Sequence, residues 1–436
     1  MTIYWLEDAL LDGVVRHAVR VEIADGVFTV VSADTTPTDE IRLAGLTIPG
    51  IANCHSHAFH RALRGRTQAG RGSFWTWREQ MYAVARGLEP DTYLALARAT
   101  YREMALAGIT SVGEFHYVHH QGDGMPYTDP NEMSRALLQA ATEAGIRITL
   151  LDTCYLAAGI GREPEGVQLR YSDGDADRWA KRVSALDGLG DGQRVGAAIH
   201  SVRAVPRDQM SEVAGWAEWR DAPLHVHLSE QVAENDECAA AYTMTPTELL
   251  AQTGVLGGRT SAVHATHLTG HDIALLGGTG TYADLCPTTE RDLGDGIGPS
   301  RELHEAGARL TLGSDSHAVI DPFEEMRAVE LDERLASQRR GHWSAEELLE
   351  AATRTGQASL GWHDAGRIAV GCRADLVTLD TRSPRTAGSG ASVATAVFAA
   401  SGADVVQVIA DGRVIARRGD AEAVGRELAA AIGQDD

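Results

Sequence analysis

From residue 46 onward, short β-branched or apolar runs alternate with longer stretches of helical period. Eight such runs occupy 46–53, 109–115, 146–153, 194–200, 223–228, 260–265, 280–286 and 308–314. Stretches such as 91–107, 131–144, 207–220 and 322–338 lie between them and repeat apolar residues at helical spacing. Asp91, Asp177 and Asp272 fall where helix N-caps or first turns place acids. Strands and helices alternating in this way predict a parallel sheet of βα units, and eight units predict a (β/α)8 TIM barrel. A doubly wound open sheet usually has fewer strands and would not gather distant strand ends around one centre.

The two ends of the chain carry a different pattern. Residues 1–45 hold the strand-like stretches Val14-Val15, Val19–Ile23 and Val27–Val31, separated by turn formers such as Asp25-Gly26. Residues 366–417 do the same with Ala374–Leu379 and Val405–Ile415. Neither piece is large enough to build a core alone, so the two are expected to pair into a small β-sandwich beside the barrel. This gives a sandwich from 1–48 and 366–436 around a barrel of 49–365. Segment 381–400, rich in Ser, Thr, Ala and Gly, reads as a surface connection.

Composition narrows the function. A formal charge of -22 over 436 residues disfavours nucleic acid or an anionic membrane surface as partner and favours a soluble enzyme. No apolar run approaches the roughly 20 residues that span a bilayer, and the opening Met1–Asp8 lacks a basic flank, so a cytoplasmic protein is expected. The five cysteines form no CxxC pair and read as reduced thiols. Cys54 alternates away from its histidine neighbours and reads as a small core residue. Lys181 is the only lysine.

The chemistry lies at four strand ends. His55-Ser56-His57 closes the first run, and residues i and i+2 of an extended segment share a face, so both imidazoles can grip one cation. The fifth run supplies His227 with Glu230 three residues on, the sixth supplies His264, and the eighth supplies Asp315. Each piece alone is weak, but barrel enzymes place their chemistry at the C-terminal ends of strands, and these four ends converge there. His225 shares a face with His227 and competes for the ligand role; His227 is preferred because it stands nearer the strand's end. Imidazoles and a carboxylate in this set suit a borderline divalent cation such as Zn2+.

The arrangement resembles the amidohydrolase superfamily over essentially the whole chain. That resemblance implies His55, His57, His227 and Asp315 as metal ligands. Two-metal members bridge their ions through a carboxylated lysine at the end of strand four; here Val195–His200 has none and Lys181 lies upstream. One divalent ion, with Zn2+ as the first choice, is therefore expected. A metal-bound water of lowered pKa would attack an amidine or imine carbon, with Asp315 and His264 orienting it and Glu230 carrying a proton to the departing nitrogen.

Several local strings point further, among them His55-Ser56-His57-Ala58-Phe59, Phe74-Trp75-Thr76-Trp77-Arg78-Glu79, Glu114–His120, His200–Val205, Val263–His267 and Gly313–His317. Together they resemble the formimidoylglutamate deiminases, which hydrolyse N-formimino-L-glutamate to N-formyl-L-glutamate and ammonia in histidine degradation. The resemblance implies substrate contacts from Arg78, Tyr117, His200 and Arg203, and a homodimer. A small acidic substrate with two carboxylates calls for fixed cations, which arginine supplies bidentately. One position departs: the resemblance implies a glutamine after the first string, and this chain has His60, which still donates to a carboxylate. A related formimino or guanidino acid, or a purine or other heterocycle deaminated at the same metal, is the alternative substrate. A scaffolding pseudoenzyme would have lost ligands that are all present here.

Overall fold

A computed structural model describes residues 1–68, 72 and 74–433 of the chain. Strands β1 (Thr2–Leu11), β2 (Val14–Ala24), β3 (Val27–Ser32) and β4 (Ile41–Pro49) begin it. The barrel strands follow as β5 (Ile51–Ser56), β6 (Ile109–His116), β7 (Arg147–Cys154) and β8 (Gln193–Ile199). They continue as β9 (Leu224–Leu228), β10 (Thr260–His264), β11 (Tyr282–Leu285) and β12 (Arg309–Leu312). The last strands are β13 (Leu376–Leu379), β14 (Val405–Ala410) and β15 (Arg413–Arg417).

Strands β5 to β12 form one eight-stranded sheet in sequential order, each pair parallel. A bridge between Ser56 and Asp315 joins the first strand to the segment after the last and closes the barrel. Every residue of β6 and β7 is buried, as expected for strands covered by helices outside and side chains inside. The sequence periodicity locates all eight strands. The helices Pro90–Leu106, Glu132–Ala144, Arg207–Trp219 and Pro322–Ser337 also fall where helical spacing put them. Asp91 and Asp177 occupy first turns, and Asp272 forms a capping box with Thr269.

The terminal segments combine as expected, into a seven-stranded sheet ordered β15-β14-β13-β4-β1-β2-β3. In β2, Val19, Val21 and Ile23 are buried while the residues between them are partly exposed, the period-2 signature of a one-faced strand. Those three pack with Leu6, Phe28, Leu376 and Ile409 in a core separate from the barrel's.

Two expectations need correction. The run 46–53 is two strands: Leu46–Pro49 pairs with β13 in the terminal sheet, and Ile51 onward pairs with β6 in the barrel. The switch is at Gly50, where a Cβ would come 2.4 Å from Thr110 Oγ1 and 2.6 Å from Asp375 Cβ. Both sheets bury their part of the run, so hydropathy alone shows no break. Segment 381–400 is also more than a surface connection, because its helix Val393–Phe398 buries Val393, Ala396 and Val397 in the main core. Small Ala, Val and Thr side chains gave that helix the composition of a linker.

One buried ion pair ties the terminal sheet to the barrel. Arg147, at the start of β7, donates through Nη1 to Asp375 Oδ1 at 2.9 Å and to Asp411 Oδ1 at 3.0 Å, and through Nη2 to Asp375 Oδ2. Arg147 and Asp375 are each 1% exposed, so removing one partner strands the other's charge in a dry interior. Arg147→Met is expected to destabilise the fold by about 3–5 kcal/mol, read as a lower urea midpoint at unchanged slope.

Candidate active site

The C-terminal mouth of the barrel is organised by its closing seam. The Asp315 amide donates to the His55 carbonyl at 3.0 Å, and the His57 amide donates to the Asp315 carbonyl at 3.4 Å. Beside this ladder, Asn53 Nδ2 donates to Ser314 Oγ at 2.7 Å and its Oδ1 accepts from the Ser314 amide at 2.9 Å. Ser56 Oγ donates to Glu114 Oε2 at 2.6 Å and lies 3.1 Å from His317 Nε2. Glu114 Oε1 accepts from the Ala58 amide at 2.7 Å, which turns the chain inward just after His57. Gly313 permits the close approach: a Cβ there would stand 2.7 Å from His55 Cβ.

The seam sets His55, His57 and Asp315 together, and β9 brings His227 across the barrel to meet them. His55 Nε2 lies 3.0 Å from His227 Nε2, and Asp315 Oδ1 lies 3.4 Å from His55 Nε2 and 3.3 Å from His57 Nε2. Donor atoms about 2.0–2.1 Å from one tetrahedral zinc stand about 3.3 Å apart, so these spacings match the edges of a single coordination shell. All four residues are buried. Burial drives His55, His57 and His227 well below the usual histidine range, which leaves neutral rings with a lone pair to give. His57 Nδ1 lies 2.9 Å from the Phe115 carbonyl and His227 Nδ1 2.9 Å from the His200 carbonyl. Each Nδ1–H therefore donates outward and each Nε2 points its lone pair at the cluster. The donor set and its spacing fit a divalent cation.

His225, the competing ligand, lies outside this group of four, and Cys54 faces Leu360, Trp362 and Ala365 behind β5. Lys181 sits on the outer helix Ala176–Ser184, paired with Asp177 at 2.6 Å and exposed.

Acids crowd one side of the cluster. His264 ends β10 with φ +69° and stacks on His227 at 5.6 Å between ring centroids. Its Nε2 is 3.9 Å from Glu230 Oε1 and its Nδ1 is 3.5 Å from Glu290 Oε1. Burial alone would lower His264, but Glu230, Glu290 and Asp315 outweigh it and raise the imidazole to about 10. Burial lifts the Glu230 carboxyl, and Asp315 adds to the rise. Asp315 and His264 hold left-handed backbone at φ +41° and +69°, as do Ser229, Ala265 and His317. Strain of about 1–3 kcal/mol each, gathered at one mouth, belongs to sites where geometry outranks stability.

The opposite wall is basic and aromatic. Arg78, Arg203 and His200 line the same cleft as Glu230 and Asp315. Burial lowers His200, and both Arg203 and Arg78 push it further down, which places two guanidinium charges beside it. Arg203 Nε donates to Glu234 Oε2 at 3.0 Å, and the other Glu234 oxygen accepts from the Ser229 amide at 3.1 Å. Glu234 thus fixes both Arg203 and the loop that carries Glu230. Arg78 stands over the Tyr82 ring at 5.4 Å. His60 Nε2 is 3.1 Å from Tyr117 Oη, and its ring packs 4.5 Å from that of His57.

The structure therefore gathers His55, His57, His227 and Asp315 with Glu230 and His264, and sets His60, Arg78, Tyr117, His200 and Arg203 around one cleft above them. Residue-by-residue reading missed Glu114, Glu234 and Glu290. Glu290 lies five residues beyond β11, so the strand-end logic applied to the other strands would have found it. Glu114 lies inside a quoted string, but nothing in the local pattern shows that it braces Ser56.

Comparison with known proteins agrees with this geometry. A sequence model of the amidohydrolase family matches residues 46–415. A formimidoylglutamate deiminase of Pseudomonas aeruginosa is 37% identical over 96% of this chain and 95% of its own length. A 5-methylthioadenosine/S-adenosylhomocysteine deaminase of Haloarcula marismortui is 28% identical over 86% of this chain and 82% of its own. Among solved structures, an amidohydrolase from Brucella melitensis superposes with a TM-score of 0.89 at 31% identity, covering 100% of this chain and 99% of that one. A zinc-bound adenosine deaminase from Xanthomonas campestris shares the fold with a TM-score of 0.83 at 22% identity, covering 99% and 98%.

Because a cation that binds only the folded chain stabilises it, Zn2+ is expected to raise the thermal midpoint of chelator-stripped protein. At 100-fold excess over Kd the gain is about 2.7 kcal/mol. Calorimetry should show the rise abolished in His227→Ala and retained in Cys54→Ala.

Proposed function

The chain belongs to the amidohydrolase family and is a hydrolase acting on C–N bonds, and on that premise we propose that it deiminates N-formimino-L-glutamate. The products are N-formyl-L-glutamate and ammonia, in histidine degradation. The observation that carries the reading is the division of one cleft into two ends. A buried group of three imidazoles and a carboxylate lies at its floor, and two arginines lie at its wall. A substrate with a neutral-to-cationic formimino group at one end and two carboxylates at the other complements both. The Pseudomonas aeruginosa relative, named for this activity, supports it.

In this proposal His55, His57, His227 and Asp315 hold one divalent ion, Zn2+ by the nature of the donors. When bound, such an ion acts as a Lewis acid and makes water nucleophilic near neutral pH. Arg203 with His200, and Arg78 with Tyr117 and His60, receive the substrate carboxylates and so fix the formimino carbon over the cluster. Asp315 and His264 orient the attacking water, and the Asp315 carboxylate takes its first proton. The water oxygen adds to the formimino carbon, the C=N pair moves to nitrogen, and Glu230 delivers the proton that nitrogen takes up. On collapse the remaining O–H proton passes through the Glu230 carboxylate to nitrogen as the C=O bond forms and the C–N bond breaks, so nitrogen leaves as ammonia, and the first water proton returns from Asp315 to Glu230.

Deamination of a nucleoside is the second reading. The rings of Trp77, Tyr82, Tyr155 and Tyr171 along the cleft could receive a flat base, and several relatives are named as nucleoside deaminases. A neutral base offers no anionic group to the two guanidinium groups of Arg78 and Arg203 that line the cleft, whereas a dicarboxylate does.

Ammonia release decides between them. Purified protein is expected to release ammonia from N-formimino-L-glutamate and none from adenosine or its 5'-deoxy and methylthio derivatives; the reverse result would sink the proposal. Glu230→Gln is expected to lower kcat about 10²–10⁴-fold while the metal content stays that of the parent.

A further inference from the structure

Of the three imidazoles in the cluster, two are steered by a backbone carbonyl at 2.9 Å, His57 by Phe115 and His227 by His200. His55 differs: its Nδ1 is buried with no hydrogen-bond partner among the described residues. A ring with one nitrogen aimed at a cation and the other unheld can rotate or change tautomer, and ligands are held against both by their outer partners.

The layer of the barrel below His55 contains what could hold it. His225 precedes His227 by two residues on β9, is fully buried, and has no partner at either ring nitrogen. Asp284, on β11, is also fully buried; one oxygen accepts from Thr311 Oγ1 at 2.9 Å and the other has no partner. Ligand-type atoms of His55, His225 and Asp284 lie within 4.8 Å of one another. Ser261, opposite His225 in the β9–β10 ladder, adds an unpartnered buried hydroxyl. Barrel interiors are filled by branched apolar residues as a rule, so a histidine and an aspartate in this layer need a reason. Left unpaired, each such group would carry an uncompensated desolvation cost.

We propose that Asp284 is a positioning residue for the His55 imidazole, acting through one interior water that it shares with His225. These atoms make no direct hydrogen bond to one another although they lie within 4.8 Å, and one water placed among them would have three partners. The Nδ1–H of His55 donates to the water oxygen, and the water donates one proton to the free Asp284 oxygen and the other to a His225 nitrogen. Asp284 itself is anchored by Thr311, so its free oxygen, accepting from the water, fixes the His55 tautomer with the Nε2 lone pair directed at the cluster. His225 then has a function beneath the ligand group instead of in it. The inference depends on the metal cluster and not on the identity of the substrate.

The test reads metal binding directly. Asp284→Asn keeps the shape but exchanges the carboxyl group for an amide, and is expected to weaken Zn2+ binding by about 10–100-fold in competition with a chromogenic chelator. Cobalt-loaded Asp284→Asn should show a shifted visible spectrum while the thermal midpoint of the metal-free variant does not fall. If Asp284→Asn does not fold, His225→Gln is the second variant, expected to weaken Zn2+ binding in the same direction. The proposal is overturned if affinity and cobalt spectrum match the parent. It is equally overturned if the parent binds two zinc ions per chain and Asp284→Asn loses one, since these residues would then be ligands themselves. None of these readouts uses substrate, so failure of the deiminase reading would leave the outcome untouched.

Discussion

The closing seam of the barrel is the constraint on which the site depends. Two backbone hydrogen bonds between the His55–His57 segment and Asp315 join the first strand to the end of the last. The same two bonds fix three of the four cluster residues relative to one another. Fold closure and site assembly are thus one event: a barrel that fails to close has no cluster, and a cluster pulled out of shape strains the closure. The side-chain bonds among Asn53, Ser314, Ser56, Glu114 and His317 brace this seam from behind. Buried bonds of this kind rigidify only when all their members are paired, which is why so many polar side chains without a chemical task surround the site.

Charge is segregated around that frame. Glu230, Glu290 and Asp315 face His264 on one side, while Arg78 and Arg203 flank His200 on the other. Burial strengthens each interaction, so carboxylates and guanidinium groups a few ångströms apart are stable only if each has a designated partner. Glu234 meets that need for Arg203 and at the same time holds the Ser229 amide. One residue outside the cleft thereby couples the position of a cationic wall residue to that of the Glu230 loop.

The sequence was legible where chemistry and periodicity coincide. Eight apolar runs, an HxH at the first, histidines at the fifth and sixth and an aspartate at the eighth are signals that survive without any knowledge of contacts. The Pro49-Gly50 switch was not legible, because two different sheets bury the residues on either side and hydropathy runs through unbroken. The helix Val393–Phe398 was hidden by small residues that resemble a linker. Glu114, Glu234 and Glu290 were unreadable for another reason: their roles are to hold other side chains, and the partners Ser56, Arg203 and His264 lie 58, 31 and 26 residues away along the chain, distances that no local pattern spans. His225 shares a strand face with His227, and the structure puts His227 in the group of four and His225 beside His55 and Asp284.

The central claim is that the seam and β9 together build a single one-metal site from three imidazoles and a carboxylate. X-ray absorption on zinc-loaded protein tests it most directly. The account predicts one zinc per chain, nitrogen and oxygen neighbours at about 2.0–2.1 Å with the multiple-scattering pattern of imidazole rings, and no sulfur. A sulfur neighbour at about 2.3 Å, or a second metal within about 4 Å, would contradict it.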